Sequence, residues 1–230
     1  MSNPLKHNYL RRGIWIVGAW AFVACGSKKP EQQPKPEPTA PLPTAGLAGQ
    51  RVALTPLELV GAEDTIHLDS LITSRRATLD RCDSIILTLL TARAPEVTWV
   101  GPAELRHIAR RAVGIVADPD QMGTPFLRAS NIIDVPDPLR YQLRTLMGLV
   151  GGRYVLVPAG LVFRKPRRVG AAGQPAGGAD HAVEISAELS IVMIDSRVGK
   201  IGFRTVARGE GADPWTALTR AVKSLTPGLP

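Results

Sequence analysis

The sequence predicts a three-layer α/β domain on one mixed sheet of about five strands, with parallel early strands and an antiparallel carboxyl-terminal hairpin. Three observations predict it. Short apolar, β-rich runs alternate with stretches whose apolar residues recur every three or four positions, the pattern of strands joined by packing helices. Two long runs near the carboxyl terminus alternate apolar and polar residues around a Gly-containing turn. Hydrophobic residues are 44% of the 230 positions and charged residues 21%, too apolar for a wholly disordered chain. The 2 cysteines exclude a disulfide scaffold.

Taken in order, Arg51 to Leu57 (RVALTPL) is a first strand, and Val60 to Leu68 a polar connection. Leu68, Leu71, Ile72, Leu79, Cys82, Ile86, Leu89 and Leu90 mark an amphipathic helix, with Asp69 or Ser70 as its N-cap. Cys82 lies on the apolar stripe and reads as a small buried hydrophobe. Glu96 to Val100 is a second strand. Pro102 opens the next helix, whose apolar face carries Leu105, Ile108, Ala109, Ala112, Val113 and Val116. Asp118 to Asp134 reads as a loop. Pro138 opens a third helix through Val150, stopped by Gly151 and Gly152. Tyr154 to Phe163 is nearly all apolar, the mark of a strand covered on both faces.

The hairpin follows. Val183, Ile185, Ala187, Leu189, Ile191 and Met193 alternate with polar residues, and Ile201, Phe203, Thr205 and Ala207 answer on the return strand. A three-residue loop, Arg197-Val198-Gly199, puts Gly199 at the position of positive φ. This register pairs Met193 with Phe203, Ile191 with Thr205, Leu189 with Ala207 and Glu188 with Arg208. Asp213 caps a last helix with Pro214 at its first position and Trp215, Leu218, Ala221, Val222 and Leu225 on its buried face.

Ahead of the domain stands a leader. Residues 1–12 carry Lys6, Arg11 and Arg12 and no acid; Gly13 to Ala24 is an apolar run of 12 residues. That is the layout of a secretory signal peptide, and the run is shorter than the roughly 18 residues of a spanning helix. Phe22-Val23-Ala24-Cys25-Gly26 resembles a bacterial lipobox, with Phe22 where leucine is usual. The resemblance implies cleavage after residue 24, diacylation of Cys25 and, with Gly26 rather than Asp next, carriage to the outer membrane. Loss of residues 1–24 takes away three positive charges, so +8 becomes +5. That is too mild and too scattered for a nucleic-acid footprint. Residues 25–45 follow as a proline-rich tether, with Pro30, Pro34, Pro36, Pro38, Pro41 and Pro43 favouring an extended spacer. Its 18 residues from Lys28 to Ala45 reach roughly 50 Å. Residues 46–230 form the single domain.

Across residues 50–226 the order of elements resembles a group of envelope lipoproteins: the curli-secretion channel lipoprotein, the penicillin-binding-protein activator lipoproteins and the amino-terminal domain of TolB. The resemblance lies in RVALTPL, in GGRYVLVP after a long helix, and in ELSIVMIDSRVGKIGFRTVARG with Asp195 and Gly199-Lys200 at its turn. It implies a noncatalytic module that binds another envelope protein or assembles with itself. Residues 164–181 lack the alternation of a membrane strand, so a secretion channel fits less well. They read as a surface loop whose Arg164, Lys165, Arg167 and Arg168 would meet an anionic partner.

Catalytic motifs are sparse. His67, His107 and His181 are scattered, and neither HExxH, a Gly-x-Ser-x-Gly elbow nor a Walker loop appears. His67 between Asp64 and Asp69 reads as a helix entry rather than a metal set, and Asp118-Pro119-Asp120 as a turn. Export separates the chain from cytosolic ATP and NAD, so no cofactor is expected. The competing reading is a secreted hydrolase or metal-dependent enzyme whose site is dispersed in sequence.

Overall fold

A computed structural model describes residues 45–63, 66, 74–166 and 185–225. All of them fall in one unit, Pro36–Pro230. Its elements are β1 (Arg51–Leu54), β2 (Val60–Ala62), α1 (Arg75–Arg93), β3 (Thr98–Val100), α2 (Pro102–Arg111), α3 (Asp137–Val150), β4 (Tyr154–Arg164), β5 (Ile185–Asp195), β6 (Lys200–Gly211) and α4 (Pro214–Lys223). The sheet runs β3-β1-β4-β5-β6, with β2 also on β4. β1 is parallel to β3 and β4, whereas β4-β5 and β5-β6 are antiparallel. The mixed α/β sheet expected from the sequence is present, with six strands.

Each face of the sheet carries its own core, because successive side chains of a strand point to opposite sides. Val52, Leu54, Leu156, Phe163, Leu189 and Ile191 pack with Cys82, Ile86 and Leu90 of α1 and Leu218 and Val222 of α4. Ala53, Val155, Val157, Val192 and Ile194 pack with Leu105 of α2 and Leu139, Leu143 and Leu146 of α3. Two helices therefore lie on each side, giving three layers. Arg81 of α1 stacks 4.1 Å over the Trp215 ring, and Arg93 donates to the carbonyls of Val222 and Lys223 that end α4.

The hairpin register is the one the alternation predicts: Met193–Phe203, Ile191–Thr205, Leu189–Ala207 and Glu188–Arg208 are all opposed. The turn holds four residues, Ser196 to Gly199, rather than three, because a register shift beside Met193 absorbs Gly202 and brings Asp195 opposite Lys200. Gly199 takes φ +70°, as a left-handed turn position requires. Gly209 is fixed by a different need. A Cβ there would strike the backbone of Ala217 and Ala221, so α4 lies directly on the strand.

Five expectations change. β1 stops at Leu54 because Pro56 has no N–H for a ladder. Val60–Ala62 is a strand rather than a connection, made by pairing with Leu161–Phe163 and too short to leave a pattern. α1 begins at Arg75 on Ser74, whose side chain accepts from the Ala77 N–H at 3.1 Å. Leu68, Asp69, Ser70, Leu71 and Ile72 lie outside the described residues. Val113 leaves the α2 stripe and is 82% exposed, because α2 ends at Arg111 and Gly114 turns the chain with φ +81°. The predicted loop at 118–134 contains two 3-10 turns, Pro119–Gln121 and Thr124–Arg128.

Candidate functional site

Open α/β sheets hold ligands outside the carboxyl ends of their parallel strands, where neighbouring strands send their helices to opposite faces. Here that place lies beyond β1 and β3, since α1 packs on one face and α2 on the other. The crevice is occupied by side chains of the chain itself. Arg106, in the second turn of α2, reaches three carboxylates. Its Nε and Nη2 donate to Asp120 at 2.8–3.1 Å, Nη2 also meets Asp83 Oδ2 at 2.8 Å, and Nη1 meets Asp80 Oδ1 at 3.2 Å. Arg76 closes the outer side, 3.1 Å from Asp80 and 2.9 Å from Asp120.

The cluster ties four segments together. Asp83 is buried, and its second oxygen accepts from the Leu57 N–H at 2.9 Å, binding α1 to the segment after β1. One residue on, the Glu58 carboxylate accepts from the N–H groups of Met122, Gly123 and Thr124 and from the Thr124 hydroxyl, at 3.0–3.2 Å. The electrostatics follow the geometry. Burial pushes Asp83 up to about 6 against the Leu57 and Arg106 hydrogen bonds that hold it down. Burial also works on Asp120, but the hydrogen bonds from Arg106 and Arg76 outweigh it and lower its pKa. Burial raises Glu58, against the lowering effect of its N–H and hydroxyl donors.

A cavity of about 440 Å³ opens beside the cluster, walled by Arg76, Arg106, Arg110, Asp118 and Asp120. A general base needs a lone pair free to take a proton. The lone pairs of Asp83 and Asp120 are held by guanidinium and backbone donors. His107, on α2, is exposed. Among the described residues no three His, Cys, Asp or Glu side chains group as a metal site. His67, His181, Asp64 and Asp69 lie outside them. The buried Cys82 thiol is pushed up to about 12, first by burial and then by the Asp83 charge, far from a reactive thiolate.

Of the residues singled out in the sequence, Cys25, Arg167 and Arg168 lie outside the described residues. Arg164 is the last residue of β4 rather than the first of a loop, and it sits 3.5 Å from Glu188. Glu188 also holds Arg208 at 3.0 Å, so a charged row crosses three strands. The Lys165 N–H donates to Glu63 Oε2 at 3.2 Å. Sequence reasoning missed the Arg106 cluster. Its one legible trace is Asp83, an acid four residues after Leu79 and three before Ile86, on the apolar stripe of α1.

No family model and no curated protein matches the chain. Among solved structures it is similar to the C-terminal domain of LpoB from Salmonella enterica, at 13% identity and a TM-score of 0.37 over 70% of this chain and 82% of that one. It is similar to LpoB of E. coli in its NMR structure, at 13% identity and a TM-score of 0.36 over 91% of each chain. It is also similar to lipoprotein GNA1162 from Neisseria meningitidis, at 13% identity and a TM-score of 0.31 over 70% of this chain and 81% of that one. At these scores the likeness assigns neither a family nor an activity.

Proposed function

We propose that the chain is a noncatalytic interaction module of the cell envelope, held on the periplasmic side of the outer membrane by acyl chains on Cys25. It works by binding another envelope protein or by assembling with itself. The observation that carries the noncatalytic part is the internally paired charge cluster in the crevice, whose acids are held by guanidinium and backbone donors even where the cavity of about 440 Å³ opens beside them. Arg106 fills the place where this topology would seat a ligand and engages three carboxylates there. The apolar run ending at Ala24-Cys25 and the proline-rich spacer support the anchored part.

Two measurements test this. Cys25→Ala is expected to move the chain from the membrane pellet to the soluble periplasmic fraction, and unchanged sedimentation refutes the anchor. Thermal melting against a panel of nucleotides, sugars, amino acids and divalent metals is expected to leave Tm unshifted. A shift abolished by Arg106→Lys would reinstate a ligand site, and with it the hydrolase or metal-enzyme reading.

A further inference from the structure

The outer side of α3 and the β5–β6 turn form a surface that the crevice does not involve. Arg140 ties the two together: its side chain lies directly against Gly199, and it pairs with Asp137 at 2.5 Å. One turn along α3 stands Arg144, and across from it Arg197 of the turn. Between them lies a cavity of about 480 Å³ floored by Gly148, Gly151 and Gly152. Arg51 lends a further positive charge nearby while donating to the Val150 carbonyl at 2.9 Å.

Exposed hydrophobic side chains stand on the elements that carry this cavity's walls and next to them, without lining it. Tyr141 is 71% exposed one turn before Arg144, Val198 is 55% exposed beside Arg197, and Ile133 is 75% exposed where its carbonyl accepts from the Ile201 N–H. Exposed tyrosine and arginine around a pocket are the residue types that dominate protein interfaces. The charge is one-sided. Arg140 and Arg153 are matched by Asp137 and Asp195. Among the described residues Arg144, Arg197 and Lys200 form no ion pair, and Asp134 is the one acid there without one. An acidic partner would supply what this surface lacks.

We propose that this surface docks an acidic segment of another envelope protein, seating a carboxylate between Arg144 and Arg197 with apolar contacts on Tyr141 and Val198. The proposal rests on the chain being an envelope interaction module and names its contact face. A free anion would use the two arginines and leave the exposed Tyr141 and Val198 idle. A protein segment uses both.

The test places a photocrosslinking amino acid in the full-length chain at position 141, at 198, or at the exposed α2 position Glu104, and irradiates intact cells. Positions 141 and 198 are expected to crosslink to a second protein at a segment that mass spectrometry shows to carry Asp or Glu. Arg144→Glu with Arg197→Glu is expected to cut that product at least tenfold with Tm unchanged, both sites being exposed. Products that persist through the charge reversal, a non-acidic segment, or crosslinks only between copies of this chain overturn the proposal. Crosslinking from position 104 alone overturns the contact face and leaves the interaction module standing. No crosslinked protein from any position removes both.

Discussion

Arg106→Met tests whether the crevice is a closed electrostatic plug. Asp83 supplies the working, because burial raises its pKa to about 6 and leaves it charged at pH 7 by a narrow margin, on the order of 1 kcal/mol. Removing the guanidinium takes away a hydrogen bond and a favourable charge, so Asp83 holds its proton at pH 7 and that margin is lost. At pH 5 Asp83 is already protonated in the parent, and the same loss is near zero. The sign for the parent follows: a raised carboxylate contributes stability that is full below its unfolded value near 3.8 and is lost as pH rises through about 6. Asp120 runs the other way. Its lowered pKa gives stability present above the unfolded value and lost only in stronger acid, so its loss in the variant is equal at pH 5 and pH 7. The pH difference therefore isolates Asp83. Urea unfolding of parent and variant is expected to show a total destabilisation of about 3 kcal/mol at pH 7, as for other broken buried pairs. It should be about 1 kcal/mol smaller at pH 5. Equal destabilisation at the two pH values would refute the plug.

Three further outcomes are expected. Gly209→Ala forces β6 and α4 apart, since the added methyl meets the Ala217 and Ala221 backbone, and should cost about 1–3 kcal/mol in urea unfolding; an unchanged midpoint contradicts that contact. Asp213→Ala removes the acceptor for the Trp215 and Thr216 N–H groups and should cost about 1 kcal/mol near neutrality. Hydrogen bonds from Thr216 keep the Asp213 pKa low, so the penalty should persist down to acid pH and shrink only below the usual carboxylate range. In a Cys25→Ala chain, Cys82 should resist iodoacetamide at pH 8 until urea opens the core, and ready native labelling would contradict its burial.

The legible parts of the fold were those whose reason is local. The hairpin register followed from period-two alternation, because a one-residue slip would turn Leu189, Ile191 and Met193 away from the core. The last helix followed from Asp213-Pro214, a cap and a first-turn proline side by side. What escaped has its cause elsewhere in the chain. Val60–Ala62 is a strand because β4 offers it a partner, and Arg106 looks like any arginine on the polar side of a short helix until Asp83 and Asp120 are folded against it. The site was illegible for the same reason: its residues stand at 58, 76, 80, 83, 106 and 120, and tertiary contact alone brings them together.

That dispersal bears on function. A crevice meant for a ligand needs polar groups left unsatisfied until the ligand arrives, and such groups cost stability while they wait. Around Arg106 the guanidinium and carboxylate groups satisfy one another, although the buried Thr55 hydroxyl after β1 has no partner, and the pairing joins the segment after β1, the two helices and the 3-10 turns into one stiff end of the domain. Unmatched charge also stands on α3 and the hairpin turn, where Arg144 and Arg197 line a cavity with no carboxylate among its lining residues. A stiff body with unmatched charge on the outside holds a binding face in fixed geometry, and so lowers the ordering cost of association. That distribution is what an interaction module requires.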